Sequence, residues 1–155
     1  MIDTMDTRTR DMFAEAGIEW TNPIEDVAAF HYKFGLDYNG PPRNLEQAEL
    51  QFRFNFLREE TDEVLNALIE GDLAQVGGEL ADLVWVALGI ALRMGIPFEE
   101  HWAEIRRANM SKERASAENP GKRGSTIDIV KPAGWVPPNH EAVLHKHQQD
   151  VFGYI

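Results

Sequence analysis

Apolar positions recur at helical spacing through most of the chain. Phe54, Leu57, Thr61, Val64, Leu65 and Leu68 form one stripe, and Leu83, Val86 and Ile90 form another. Cap and breaker residues divide the pattern. "TNP" at Thr21–Pro23 offers a capping side chain followed by proline in the first turn, and Gly35 closes a short helix from about Ile24 to Phe34. "DYNGPPRN" reads as a loop. Asn44 and Gln47 have the spacing of a capping box, opening a second helix that runs to about Glu70 and stops at Gly71. Asp72 and Gln75 repeat the device for a third helix, to about Met94 with Gly95 as its C-terminal cap. A fourth helix spans about Pro97 to Glu113.

The expected architecture is an all-α antiparallel helical bundle. Residues 1–20 form an N-terminal extension, 21–115 the helical domain, and 116–155 an extended C-terminal tail with one short helix near Glu141–Gln149. The tight connection at Gly71–Asp72 makes the second and third helices antiparallel neighbours. The third helix is apolar almost all round, so it is buried in the bundle or against a partner chain.

Composition narrows the function. The chain has 155 residues, 43% hydrophobic and 26% charged, and no cysteine. Disulfide frameworks and thiolate zinc sites are excluded. A formal net charge of −11 disfavours duplex nucleic acid, whose binding needs many cations. It leaves room for a small anionic substrate held by local cations. No basic region followed by an apolar run opens the chain, and Leu80–Leu92 is short for a bilayer span and contains Asp82. A soluble, cytoplasmic protein without a membrane partner is expected.

The acidic residues carry the chemistry. "FLREETDEVLNAL" holds Glu59, Glu60, Asp62 and Glu63, and "GGELADLVWVALGIAL" places Glu79 and Asp82 in an apolar run. With Leu57 at the centre of the apolar face, Glu60 lies about 60° and Glu63 about 120° to one side, with Glu59 beyond them. Asp62 points the other way, to solvent. Glu79 and Asp82 are about 60° apart on the face of Leu83, Val86 and Ile90. The turn near Gly71 brings the two pairs to matched height. Taken alone, the first cluster reads as a solvated helix face. The second alone could be a helix-start pair bonded to a buried arginine. Converging carboxylates repel, and they must protonate or take up a divalent cation. Oxygen-only donors favour Mg²⁺, with Mn²⁺ as a substitute, and Mg²⁺ commonly completes its shell with phosphate oxygens.

These motifs resemble the all-α nucleoside triphosphate pyrophosphohydrolases, the MazG-like group that includes dimeric dUTPases and phosphoribosyl-ATP pyrophosphohydrolase. The paired E-x-x-E and E-x-x-D motifs carry the likeness. It runs from "VAAFHYKFG" through "GDLAQVGGELADLVWVALGIALRMGIP" and "RRANMSK" to "KPAGWVPP". The resemblance implies a helical bundle, a homodimer or dimer of dimers, and Mg²⁺-dependent cleavage between the α and β phosphates of a nucleoside triphosphate. It assigns Glu60, Glu63, Glu79 and Asp82 to metal, with more than one ion possible per site. Glu59 matches the position that handles the attacking water or holds a further metal. Asn109 and Lys112 match the phosphate-contacting segment, and Arg106 shares their helix face. Members of the group act on one base, such as dUTP or a guanine nucleotide, or on many.

Weaker features remain. His31 is a candidate substrate contact beside Phe30 and Phe34, although packing is the plainer role for the two phenylalanines. Trp85 reads as core or dimer interface. Lys122, Arg123 and Lys131 are candidates to close over phosphates from the tail, and Trp135 to cap a pocket or anchor the tail. "GKRG" lacks the strand and glycine spacing of a P-loop. His140, His145 and His147 lie on the tail without an acidic partner pattern, which disfavours a metal cluster. "FEEHWAEI" does not match H-E-x-x-H. A ferritin-like di-iron site needs E-x-x-H motifs that are absent. The alternative outside enzymes is a non-catalytic acidic interaction module, which predicts no buried carboxylate.

Overall fold

The computed structural model describes residues 12, 15–17, 21–117, 119–121 and 128–153. Among them are helices α1 (Pro23–Lys33), α2 (Gln47–Glu70), α3 (Leu73–Met94), α4 (Phe98–Met110) and α5 (His140–Phe152). The short strands β1 (Glu113–Arg114) and β2 (Ile129–Val130) complete the set. The fold is all-α, as the hydrophobic periodicity predicts. Two compact units make up the chain, Met1–Asp37 with Gln47–Ile90, and Tyr38–Glu46 with Ala91–Ile155.

In the first unit, Asn22 caps α1 by accepting from Ile24 N at 3.3 Å, with Pro23 in the first turn. Asp72 caps α3 by accepting from the backbone of Ala74 at 3.0 Å and Gln75 at 3.2 Å. Gly71 ends α2 with φ 77°, a left-handed conformation that glycine adopts without strain. The α2 start differs from expectation. Residues 42–46 are not helical, so the Asn44–Gln47 box does not open α2. Arg43 N donates to Met94 O at 2.9 Å and Leu45 is buried, which holds this segment out of the helix.

The face that α2 buries also differs. The side chains buried within the chain are Arg53, Glu60, Val64 and Ala67. Phe54, Leu65 and Leu68 are more than half exposed. Arg53 and Glu60 turn inward beside Val64 and Ala67, and much of the apolar stripe stays uncovered. On α3 only Val86, Leu88, Gly89 and Ala91 are fully buried, while Leu73, Leu80, Val84 and Trp85 are exposed.

Whole, α3 is 22 residues long with a hydropathy of 1.4, enough by length and composition to cross a membrane. The apolar stretch read from sequence is thus only part of a longer helix. Asp82 sits near its middle and Glu79 a turn before, and ionisable groups there cost about 2.5–3.5 kcal/mol each in hydrocarbon. That favours a helix packed in protein.

In the second unit, Gly95 ends α3 with φ 64°, and a Cβ there would stand 2.9 Å from Gly40 O. The helix α4 stops at Met110, short of Glu113, because Glu113 and Arg114 pair antiparallel with Val130 and Ile129. Trp135 Nε1 donates to Ala108 O at 2.8 Å, so this tryptophan anchors the tail. The tail helix α5 is capped by Asn139 and is longer than expected, ending at Gly153 with φ 69°. Lys122 and Arg123 lie outside the described residues.

Candidate metal and substrate site

The acids of α2 and α3 meet in the first unit. One carboxylate oxygen from each of Glu60, Glu79 and Asp82 lies within 4.8 Å of the others. Glu60 is only 8% exposed, Glu79 is half-buried and Asp82 is exposed. Glu63 lies close enough to Glu79 for that carboxylate to raise its pKa. Asp62 faces solvent, 3.9 Å from Arg58 on its own helix.

The electrostatics follow from crowding. Burial raises the Glu60 carboxyl above the usual carboxylate range, and Glu63, Asp82, Glu59 and Glu79 raise it further. Glu63 is raised by desolvation, then by Glu79 and Glu59. A cluster of this kind carries more negative charge than it can hold alone. Its donors are all oxygen and close enough to share one ion, the set that suits a hard divalent cation.

Two cavities in this unit share Phe52 and Phe56. The smaller also has Asn55 and Glu59 on its wall. The larger, about 330 Å³, is lined by Phe30, His31, Phe52, Arg53, Phe56 and Trp85, with Leu36, Val86 and Gly89 completing it. Phe30 meets Trp85 edge-on, with ring centroids 5.5 Å apart. His31 is buried. Phe34 meets Phe30 at a tilt, with ring centroids 4.7 Å apart, but does not line the cavity.

Arg53 is the residue that the sequence reading passed over. It is 9% exposed, and its Nη2 lies 3.6 Å from Glu49. Its Nε is buried with no hydrogen-bond partner. A signal was available in "QFRFNF": Arg53 stands two helical turns before Glu60 and so shares its face.

The remaining candidates belong to the second unit. Lys112 Nζ donates to Asn109 Oδ1 at 2.8 Å. Lys112 and Lys131 both lie over the Trp135 ring, at 5.7 Å and 4.3 Å from its centroid. Arg106 is exposed on α4. The structure thus gathers Asn109, Lys112 and Lys131 around one tryptophan, and gathers Glu59, Glu60, Glu63, Glu79, Asp82 and His31 on α1–α3.

Two of the tail histidines, His140 and His147, have partners that the sequence did not reveal. His101 Nδ1 and His140 Nδ1 are 3.0 Å apart, and His147 Nδ1 is 3.3 Å from Glu100 Oε1. Burial lowers the His101 pKa, and His140 lowers it further.

No curated protein matches the chain. A family model described as phosphoribosyl-ATP pyrophosphohydrolase matches residues 27–109, which include most of α1, the whole acidic cluster and nearly all of α4. That match spans more than half of the chain, which therefore belongs to the phosphoribosyl-ATP pyrophosphohydrolase family.

Proposed function

We propose that the protein hydrolyses nucleoside triphosphates between the α and β phosphates, giving a nucleoside monophosphate and pyrophosphate, with Mg²⁺ or Mn²⁺ as cofactor. The observation that carries this reading is the convergence of Glu60, Glu79 and Asp82 oxygens within 4.8 Å. The family match supports pyrophosphohydrolase chemistry.

Glu60, Glu79 and Asp82 would hold the cation, with Glu63 completing the set through its contact with Glu79. Bound there, it would neutralise charge on the phosphates and lower the pKa of a coordinated water. Glu59, on the rim of the smaller cavity, orients the attacking water and accepts its proton. The water oxygen bonds to the α phosphorus. The bond from that phosphorus to the bridging oxygen breaks, and pyrophosphate leaves with the bridging oxygen. Asn109, Lys112, Arg106 and Lys131 are the residues assigned to phosphate charge, since donors to developing negative charge favour this kind of cleavage.

Uncovered apolar residues on α2 and α3 support a homodimer or dimer of dimers. The buried core consists mostly of alanine and valine, while Phe54, Leu65, Leu68, Ile69 and Leu73 stay exposed. A chain that leaves its large side chains in water has more apolar surface to bury against a copy. A non-catalytic acidic module is disfavoured by the burial of Glu60.

The test is a pyrophosphate-release screen over all ribo- and deoxynucleoside triphosphates and phosphoribosyl-ATP, with Mg²⁺ and with Mn²⁺. Metal-dependent release of pyrophosphate with matching monophosphate is expected. Release of orthophosphate alone, or no turnover of any substrate, would overturn the reading.

A further inference from the structure

We propose that His101 and His140 form a transition-metal site that joins α4 to α5 and takes a nitrogen-preferring cation such as Zn²⁺. The proposal does not depend on the acidic cluster. Both histidines belong to the second unit, and the acids belong to the first.

Ligand spacing carries it. The two Nδ1 atoms are 3.0 Å apart, although their residues are 39 positions apart in the chain. Zn²⁺ binds imidazole nitrogen at about 2.0–2.1 Å. Two such nitrogens on one ion therefore stand about 2.9–3.4 Å apart, from a right-angled to a tetrahedral arrangement. The ring centroids are 5.1 Å apart and the planes tilt by 43°, so the rings meet at their nitrogen edges and do not stack. Two neutral imidazoles can share a proton between these atoms only if one carries it on Nδ1 and the other on Nε2. A cation takes a lone pair from both Nδ1 atoms, with the proton of each ring on Nε2.

The surroundings hold the pair in place. Glu104 stands one turn after His101 on α4, and its Oε1 accepts from Asn139 N at 2.9 Å. Asn139 precedes His140 and caps α5 by accepting from Ala142 N at 3.0 Å. Arg107 Nη2 donates to Pro137 O at 3.1 Å. Glu100, the residue before His101, lies 3.3 Å from His147 Nδ1, two turns along α5. These contacts fix the backbone on both sides of His140 against α4, so an ion has little left to order. His101 is half-buried and His140 is exposed. The His140 ring thus has room to aim its lone pair at the ion, and water can fill the remaining coordination positions.

Donor type sets this site apart from the acids. Imidazole nitrogen suits Zn²⁺, Ni²⁺ and Cu²⁺, whereas Mg²⁺ keeps to oxygen. A bound ion would cross-link α4 to α5 and slow the local opening of the C-terminal helix.

The experiment titrates the untagged full chain with Zn²⁺ by calorimetry in excess Mg²⁺, using the wild type, His101→Gln, His140→Asn and Glu60→Gln. Amide exchange in α5 is followed with and without Zn²⁺. A Zn²⁺ site is expected in the wild type that Glu60→Gln retains and each histidine variant weakens by about 10-fold or more. Zn²⁺ should slow exchange in α5 of the wild type and leave it unchanged in His140→Asn. Absence of Zn²⁺ binding, or a site that keeps its affinity in either histidine variant, overturns the proposal and leaves the pair as a hydrogen bond. Zn²⁺ binding that disappears in Glu60→Gln belongs to the acids and overturns it as well. Circular dichroism checks each variant. Should His101→Gln fail to fold, His140→Asn, at an exposed position, carries the same decision.

Discussion

Gly89 lies directly against His31: a Cβ added to the glycine would stand 3.2 Å from His31 Nε2 and 3.5 Å from Cε1. Both residues line the aromatic cavity, and His31 is buried, so its ring has little room to retreat. Gly89→Ala gains about 1 kcal/mol of helix propensity and loses a comparable amount to the contact. Thermal stability is expected to change little. KM for the nucleotide turned over best should rise several-fold, measured by steady-state pyrophosphate release, because the displaced ring reshapes the aromatic cavity.

Glu60 sets the charge balance of the acidic cluster. Its pKa is raised by burial and by four carboxylate neighbours, and that of Glu63 is raised as well. A carboxyl with a raised folded pKa binds more protons folded than unfolded between the two values. The metal-free protein therefore loses stability as pH rises through that window and recovers it on acidification. Glu60→Gln removes one charge from the crowd. It should melt no lower than the wild type without metal, show no Mg²⁺-induced rise in Tm, and lose turnover by about 10²-fold or more. Asp82→Asn should behave alike in turnover, with unchanged circular dichroism. Full activity in either variant would remove these residues from the site.

Acid should loosen the contact between α4 and α5. His101 faces His140 at 3.0 Å, with Glu100, Glu104, Arg107 and His147 around the pair. His101 has a lowered pKa, so its unfolded form binds protons first as pH falls below the usual histidine value near 6.5. Stability from this contact is present above that value and declines below it. The Glu104 carboxyl is held down to about 2 by Arg107 and the Asn139 backbone N–H, so its bonds survive through the same range. Amide exchange in α5 should accelerate between neutral pH and about 5 beyond the intrinsic rate change. His140→Asn should flatten that dependence.

Leu65 and Leu68 stand exposed on the outer stripe of α2, with Ile69 and Leu73 beside the turn. A double substitution, Leu65→Glu with Leu68→Glu, should convert the expected homodimer to a monomer in light scattering after size exclusion. Helix content should be kept, because neither side chain contributes to the buried core. A monomeric wild type would rule out this use of the surface.

Much of the architecture was legible because it rests on local rules. Asn22 with Pro23 and Asp72 with its two amide donors start helices where capping chemistry places them, and Gly35, Gly71 and Gly95 stop them. The split of the acidic run was also legible, since helical geometry alone sends Asp62 to solvent and Glu60 inward. The start of α2 was not, because the Asn44 cap competes with a backbone bond from Arg43 to Met94, far away in sequence.

Helical period and the tight turn at Gly71 determined, from sequence by itself, that acids of α2 and α3 meet, as Glu60, Glu79 and Asp82 do. Only tertiary structure decided how much of the apolar stripe on α2 is covered. A hydrophobic stripe reports what must leave water, yet it does not say whether the chain or a partner covers it. The stripe of Phe54, Leu65 and Leu68 is uncovered here, and Arg53 and Glu60 take the inner face instead. Their burial depends on α1 and α3 closing over them. For that reason the aromatic cavity and its arginine emerge only when helices distant in sequence pack together.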